Sequence, residues 1–168
     1  MKQIPNDPTI LSIITFIKGL NEEQKESFYI RLVEKQPHLF TMMGSVPDIT
    51  QVDCINTLNY LFGLILRSFE YEFGEIPMIS LETINEFNDE MEIAINRELK
   101  TSSPYKSVRN FKRNVHQNDL TDYVDSILEG TKESPATFPA DILPAIKISI
   151  YFVIDLLNRE VQKMDGHS

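Results

Sequence analysis

A chain of 168 residues with 42% hydrophobic and 24% charged side chains has the make-up of one globular domain spanning 1–168. It is long enough to bury a core and too apolar to stay disordered. The formal charge of −9 repels phosphate backbones, which makes nucleic acid an unlikely partner, and the single cysteine, Cys54, excludes an intrachain disulfide. Cys54 lies among apolar residues, where a buried, inert thiol is expected.

The N-terminus reads poorly as a secretory leader, because Asp7 and Pro8 interrupt the approach to the apolar run Ile10–Ile17 and no small-x-small cleavage site follows. The apolar stretches Leu58–Leu66 and Ile142–Leu157 are too short for the roughly 20-residue span of a bilayer, or are broken by Lys147 and Asp155. The expectation is a soluble, cytoplasmic protein without membrane contact.

Helix punctuation orders the chain. Asp7 followed by Pro8 reads as an N-cap with proline at the first helical position, and Ile10, Ile13, Ile14 and Ile17 make the apolar stripe that follows. Gly19 ends that helix, and Asn21 caps the next, with Glu22 and Glu23 in its first turn and Phe28, Tyr29, Leu32 and Val33 as its apolar positions. Pro37 should break it, since proline removes a donor and restricts Gln36. A short helix restarts there and runs to Met43, stopping at Gly44, and Ser45–Asp48 is turn-like. A long helix over Thr50–Phe73 carries a seam of Ile55, Leu58, Phe62, Ile65 and Phe69, widened by Leu61, Leu64 and Leu66, so it belongs at the centre of the core.

Gly74 and Pro77 punctuate again, and Ser80 caps a helix through Leu99 with Leu81, Ile84, Phe87, Met91 and Ile95 facing inward. Pro104 begins another helix, striped by Val108, Phe111 and Val115. The stretch His116–Asp119 reads as a break with Asn118 as cap, followed by a helix over Asp119–Glu129 that Gly130 ends. After a loop at Thr131–Pro139, a last apolar helix runs over Ala140–Met164, and residues 165–168 form a frayed tail. Ile146–Ile154 is β-branched enough to suggest a strand, but its length and its continuation into Asp155–Glu160 favour helix. The fold class is all-α, a single-domain bundle of about eight helices.

The order of elements suggests an internal duplication, 8–73 and 80–164, as two pseudo-symmetric four-helix halves around two central apolar helices. Gln36-Pro-His-Leu matches Gln117-Asn-Asp-Leu, and Met42 and Met43 then match Tyr123 and Val124. Asp53-Cys-Ile parallels Asp141-Ile-Leu, and Leu58, Phe62, Ile65 and Leu66 parallel Ile146, Ile150, Val153 and Ile154. The alternative is that two amphipathic helix pairs align this well by composition alone.

Chemistry is sparse. His38, His116 and His167 are not spaced with carboxylates as metal ligands, and no nucleophile triad, phosphate-cradling loop or dinucleotide fingerprint occurs, so neither metal nor cofactor is expected. Gly63 sits inside an apolar helix, where close approach of another helix, or of a ligand, would explain it.

One segment departs from the acidic average. Between Lys100 and Asn118 there is no acidic residue, yet five of the chain's 16 basic residues fall there: Lys100, Lys106, Arg109, Lys112 and Arg113, flanked by Tyr105 and His116. Lys106, Arg109 and Arg113 share a helix face, with Lys112 beside it. They read either as a docking site for an anion or acidic partner, with His116 included, or as charges neutralised by the acidic helix before them.

The expected function is that of a non-enzymatic protein-interaction or regulatory protein, adaptor-like, with an unknown protein as partner. A toxin-neutralising, immunity-type partner that exploits net negative charge is a specific version. The alternatives are small-ligand binding between the two long helices near Gly63 and Tyr151, and an enzyme using His116 beside the basic cluster on an anionic substrate.

Overall fold

Among the described residues, proline, glycine and capping residues delimit eight α-helices, and no strand occurs. The computed structural model describes residues 2–44, 51–130 and 137–166. The helices are α1 (Leu11–Lys18), α2 (Glu22–Lys35), α3 (Pro37–Gly44), α4 (Val52–Phe73), α5 (Leu81–Thr101), α6 (Pro104–Val115), α7 (Asn118–Leu128) and α8 (Leu143–Asp165). The turn expected at Ser45–Asp48 and most of the loop expected at Thr131–Pro139 lie outside the described residues.

Local signals set most boundaries. Asn21 accepts from the Gln24 N–H at 2.8 Å while the Gln24 side chain accepts from the Asn21 N–H at 2.9 Å, a reciprocal cap that fixes the start of α2. Ser80 and Ser103 cap α5 and α6 through their side-chain oxygens. Gly74 ends α4 at φ 88°, a conformation that a β-carbon would strain. The β-branched run Ile146–Ile154 is helical throughout, because burial of a long apolar face outweighs a propensity difference of under about 1 kcal/mol per residue.

The core is built on α4 and α8. Leu61, Leu64, Ile65 and Phe69 of α4 and Tyr151, Ile154 and Leu157 of α8 are fully buried, and the two helices touch. α1 and α2 cover α4, α6 covers α8, and α7 packs against both long helices. The eight residues paired between the long helices by sequence, Leu58, Phe62, Ile65 and Leu66 with Ile146, Ile150, Val153 and Ile154, are all buried.

Several expectations are corrected, among them Ile55 of the α4 seam and Val33 of the α2 stripe, which are exposed. Asp7 is exposed and makes no capping bond; the chain enters α1 through a wider turn over Asn6–Ile10, in which the Ile10 N–H reaches the Pro5 carbonyl at 3.2 Å. The Asn6 N–H is instead held by the Asp119 carboxylate at 2.9 Å, so a long-range acceptor replaces the local cap. Asn118 is the first residue of α7 rather than its cap; Gln117 precedes it, its side chain engaged elsewhere in the core. Leu81, in the first turn of α5, is 51% exposed, and the inward stripe starts at Ile84.

Two buried glutamines organise the chain's extended segments. Gln36, between α2 and α3, accepts from the Ile79 N–H at 3.0 Å and donates to the Ile76 and Pro77 carbonyls at 3.2 and 3.0 Å. Gln117, between α6 and α7, accepts from the Ile4 N–H at 2.8 Å and donates to the Lys2 carbonyl at 3.2 Å and to Asn158 Oδ1 at 3.1 Å. Each amide thus pins a segment that leads into a helix, α5 in one case and α1 in the other. Both glutamines share a backbone conformation, near φ −133°, ψ 60° and φ −129°, ψ 70°.

The N-terminal segment is also held electrostatically. Lys2 Nζ lies 2.6 Å from Glu72 Oε2, and the Thr9 hydroxyl donates to Glu72 Oε1. The hydrogen bond from Lys2, then that from Thr9, hold the Glu72 carboxyl below the usual range, against the opposing effect of burial. A lowered folded-state pKa contributes stability that is complete above the unfolded value and is lost as pH falls through the folded one. Glu72→Gln is therefore expected to lower stability at neutral pH by about 1 kcal/mol and to flatten the acid limb of a urea-unfolding series. Parallel acid limbs in the two proteins would contradict this.

Candidate functional site

The N-terminal halves of α2 and α4, the end of α1 and α7 line a groove of about 820 Å³. Three tyrosines form its aromatic part: Tyr29 from α2, Tyr60 from α4 and Tyr123 from α7, each half-buried. The Tyr60 and Tyr123 hydroxyls lie 2.7 Å apart and join α4 to α7. Burial, and next the neighbouring Tyr60, push the Tyr29 phenol up to about 12. At neutral pH it offers a π face and a neutral hydroxyl, not a base.

Gly63 explains how Tyr29 reaches this place. A β-carbon there would lie 3.1 Å from Cε1 of both Phe28 and Tyr29 and 3.4 Å from Leu32 Cδ1, so α2 packs its rings directly on the α4 backbone. Phe28 and Tyr29 meet edge to face at 5.3 Å, an arrangement that sets the direction of both rings. The space expected beside Gly63 is thus filled by aromatic side chains.

The groove's charge is acidic. Glu22, Glu23 and Glu26 of α2 and Asp53 of α4 line it against Lys18 and Lys25. Glu22 meets Lys25 at 3.6 Å, whereas Glu23, Glu26 and Asp53 make no ion pair among the described residues. Aromatic faces beside carboxylates are the combination that recognises ammonium and guanidinium groups.

The basic segment of α6 is divided. Lys112 turns onto α7, donating to Asp122 Oδ1 at 2.6 Å and Asp125 Oδ2 at 2.7 Å. Burial alone would lower its pKa, but the bonds to Asp122 and Asp125 outweigh that and raise it. Its charge is thus met by α7 and not by the acidic helix α5. Lys106, Arg109 and Arg113 remain exposed and make no ion pair among the described residues, with Arg109 lying 5.7 Å from the Tyr105 ring centroid.

His116 adopts a left-handed conformation at the end of α6, φ 58°, and its carbonyl accepts from the Gln3 side chain. It lines a separate cleft of about 340 Å³ with Asp155, Asn158 and Arg159. Burial raises the Asp155 carboxyl pKa, opposed by Arg159.

Comparison with known proteins gives a plain result. No family model, no curated protein and no solved structure matches this chain. Its function has to be read from its own geometry.

Tyr151, paired with Gly63 in the sequence reading of a ligand pocket, is fully buried and donates its hydroxyl to Asp125. Burial first, and Asp125 second, push that phenol far above its ordinary range, so it is a fixed donor in the α7–α8 interface. Tyr151 and Gly63 line none of the three clefts described here, which also include one beside Arg67. Burial, then Asp53, push the Cys54 thiol up, away from the reactive thiolate.

Sequence reasoning missed the tyrosine groove. Tyr29 had been placed on a core stripe and Tyr123 matched with a methionine, as apolar residues. A usable signal was present: a tyrosine on a core stripe has a hydroxyl that needs a polar partner or water, which places it at the edge of the core.

Proposed function

We propose that this chain is a non-enzymatic interaction protein whose groove between α2, α4 and α7 docks a basic segment of a partner protein. The observation that carries the reading is the meeting of Tyr29, Tyr60 and Tyr123 with Glu23, Glu26 and Asp53 in one groove of about 820 Å³. The net charge of −9 adds long-range attraction for a basic partner and accelerates encounter. An adaptor for a basic protein, or a neutraliser of a basic toxin, would use such a surface.

A peptide rich in lysine and arginine, titrated by calorimetry at low and moderate salt, tests this. Reversing Glu22 and Glu26 to lysine should weaken binding about tenfold more than reversing the exposed Glu86 and Glu92 of α5, which changes net charge by the same amount. Equal weakening by the two pairs, or no binding by the unaltered protein, would defeat the proposal.

A second reading, docking of an acidic partner on α6, is favoured by Lys106, Arg109 and Arg113, which make no ion pair among the described residues. It ranks lower because Lys112 is consumed by α7 and because those three residues line none of the clefts described above.

A further inference from the structure

On the other flank of α2 lies a second cleft, of about 440 Å³, and we infer that it binds a small carboxylate with an apolar body. This site is independent of the partner groove; only Glu23 lines both.

Its charge runs against that of the chain. In a protein of net charge −9, this cleft gathers Arg31, Lys35 and Arg67 against one carboxylate, Glu23. The cations are not equally free. Lys35 is shared between Glu70 at 3.7 Å and Glu75 at 3.9 Å. Arg67 gives one Nη to Glu70 at 3.0 Å, yet its Nε is buried and has no hydrogen-bond partner among the described residues. Arg31 is exposed and makes no ion pair among the described residues.

A buried guanidinium N–H without an acceptor is uncommon and costly, and an unoccupied ligand position is one of its recognised explanations. A carboxylate drawn between Arg31 and Arg67 meets the exposed edges of the two guanidinium groups, whose fork its planar pair of oxygens matches; the Nε, closed to solvent, gains an acceptor as the partly exposed Arg67 side chain turns outward.

Phe16, Leu20, Phe28 and Leu32 give the cleft an apolar wall, and Gln24 and Ser27 complete the lining. Phe16 is 46% exposed and meets Phe28 edge to face at 5.8 Å, leaving ring surface that an aliphatic or aromatic body would cover. The Arg67 guanidinium carbon lies 6.0 Å from the Phe16 centroid, so charge and apolar surface adjoin. The volume falls within the range of small-molecule sites. Glu23 repels a second negative charge and so selects a monoanion over a dianion.

Octanoate, 1-octanol and octylammonium share a tail and differ in the head, so an NMR titration with each separates the contributions. Octanoate should give saturable shifts at Phe16, Phe28 and Arg31, with octanol at least about tenfold weaker and octylammonium without effect there. Arg31→Gln, at an exposed position that leaves the fold intact, should weaken octanoate about tenfold, and Arg67→Gln at least as much. Equal binding of octanoate and octanol, shifts centred on another part of the surface, an unaltered affinity in Arg31→Gln, or no saturation by about 5 mM would each overturn the inference.

Discussion

Replacing Gln117 by leucine is expected to destabilise the protein by about 3 kcal/mol, a fall in melting temperature of about 6–12 °C for a chain of this size. Leucine is close in volume, so packing is largely kept and the loss is polar. The Ile4 N–H, the Lys2 carbonyl and Asn158 Oδ1 all lose a partner. Ile4 and Asn158 are buried, where water cannot freely replace the amide. Asn158 still donates to the Val115 carbonyl at 2.7 Å, which keeps the α6 end attached to α8. Deleting residues 2–4 removes two of the same bonds, so the deletion and Gln117→Leu should be strongly non-additive in urea unfolding. Simple additivity, or a melting shift below about 2 °C, would show that the amide carries no such role.

Asp125→Ala should cost about as much, about 3 kcal/mol, because it strands one buried donor and takes a carboxylate from another. The fully buried Tyr151 hydroxyl loses its acceptor, and Lys112 keeps only Asp122, whose side chain is 69% exposed. A double-mutant cycle with Tyr151→Phe should show a coupling of at least about 1 kcal/mol. The pH dependence has a definite sign. The Lys112 pKa is raised, so its ion pairs contribute fully below the ordinary lysine value, and that contribution is lost as pH rises through the raised one. Asp125→Ala should therefore make the alkaline decline of stability shallower, alongside the lower plateau. An alkaline limb unchanged from the wild type would count against the Lys112–Asp125 pair.

The sequence disclosed what is local. Asn21, Pro37, Ser80, Pro104 and Gly130 mark helix ends through their own backbone and side-chain chemistry, and the structure places helix ends at or beside each. The width of the apolar face identified α4 and α8 as central, since burial on most sides leaves a plain compositional trace. What depends on distant partners was not legible. Asp7-Pro looks like a cap, yet Asn6 and Ile4 are held by Asp119 and Gln117. Lys112 gave no hint that α7, and not α5, would meet its charge, because that depends on how helices are placed. Arg67 was passed over inside an apolar run, although a guanidinium on the flank of a core helix marks where the core opens. The matching of Gln36 with Gln117 is different in kind. The two share a backbone conformation and the same task of pinning a lead-in segment.

The Ile4–Gln117 bond spans 113 positions, and this has a consequence for biosynthesis. At translation rates of about 5–20 residues per second, the Ile4 segment waits roughly ten seconds on the ribosome before its clasp exists. Until then the Ile4 side chain, wholly covered in the finished protein, stands in water on an emerging chain. Such an interval leaves the Ile4 segment open to capture by a chaperone, and it makes closure of that segment onto the α6–α7 junction a late event in the birth of the molecule.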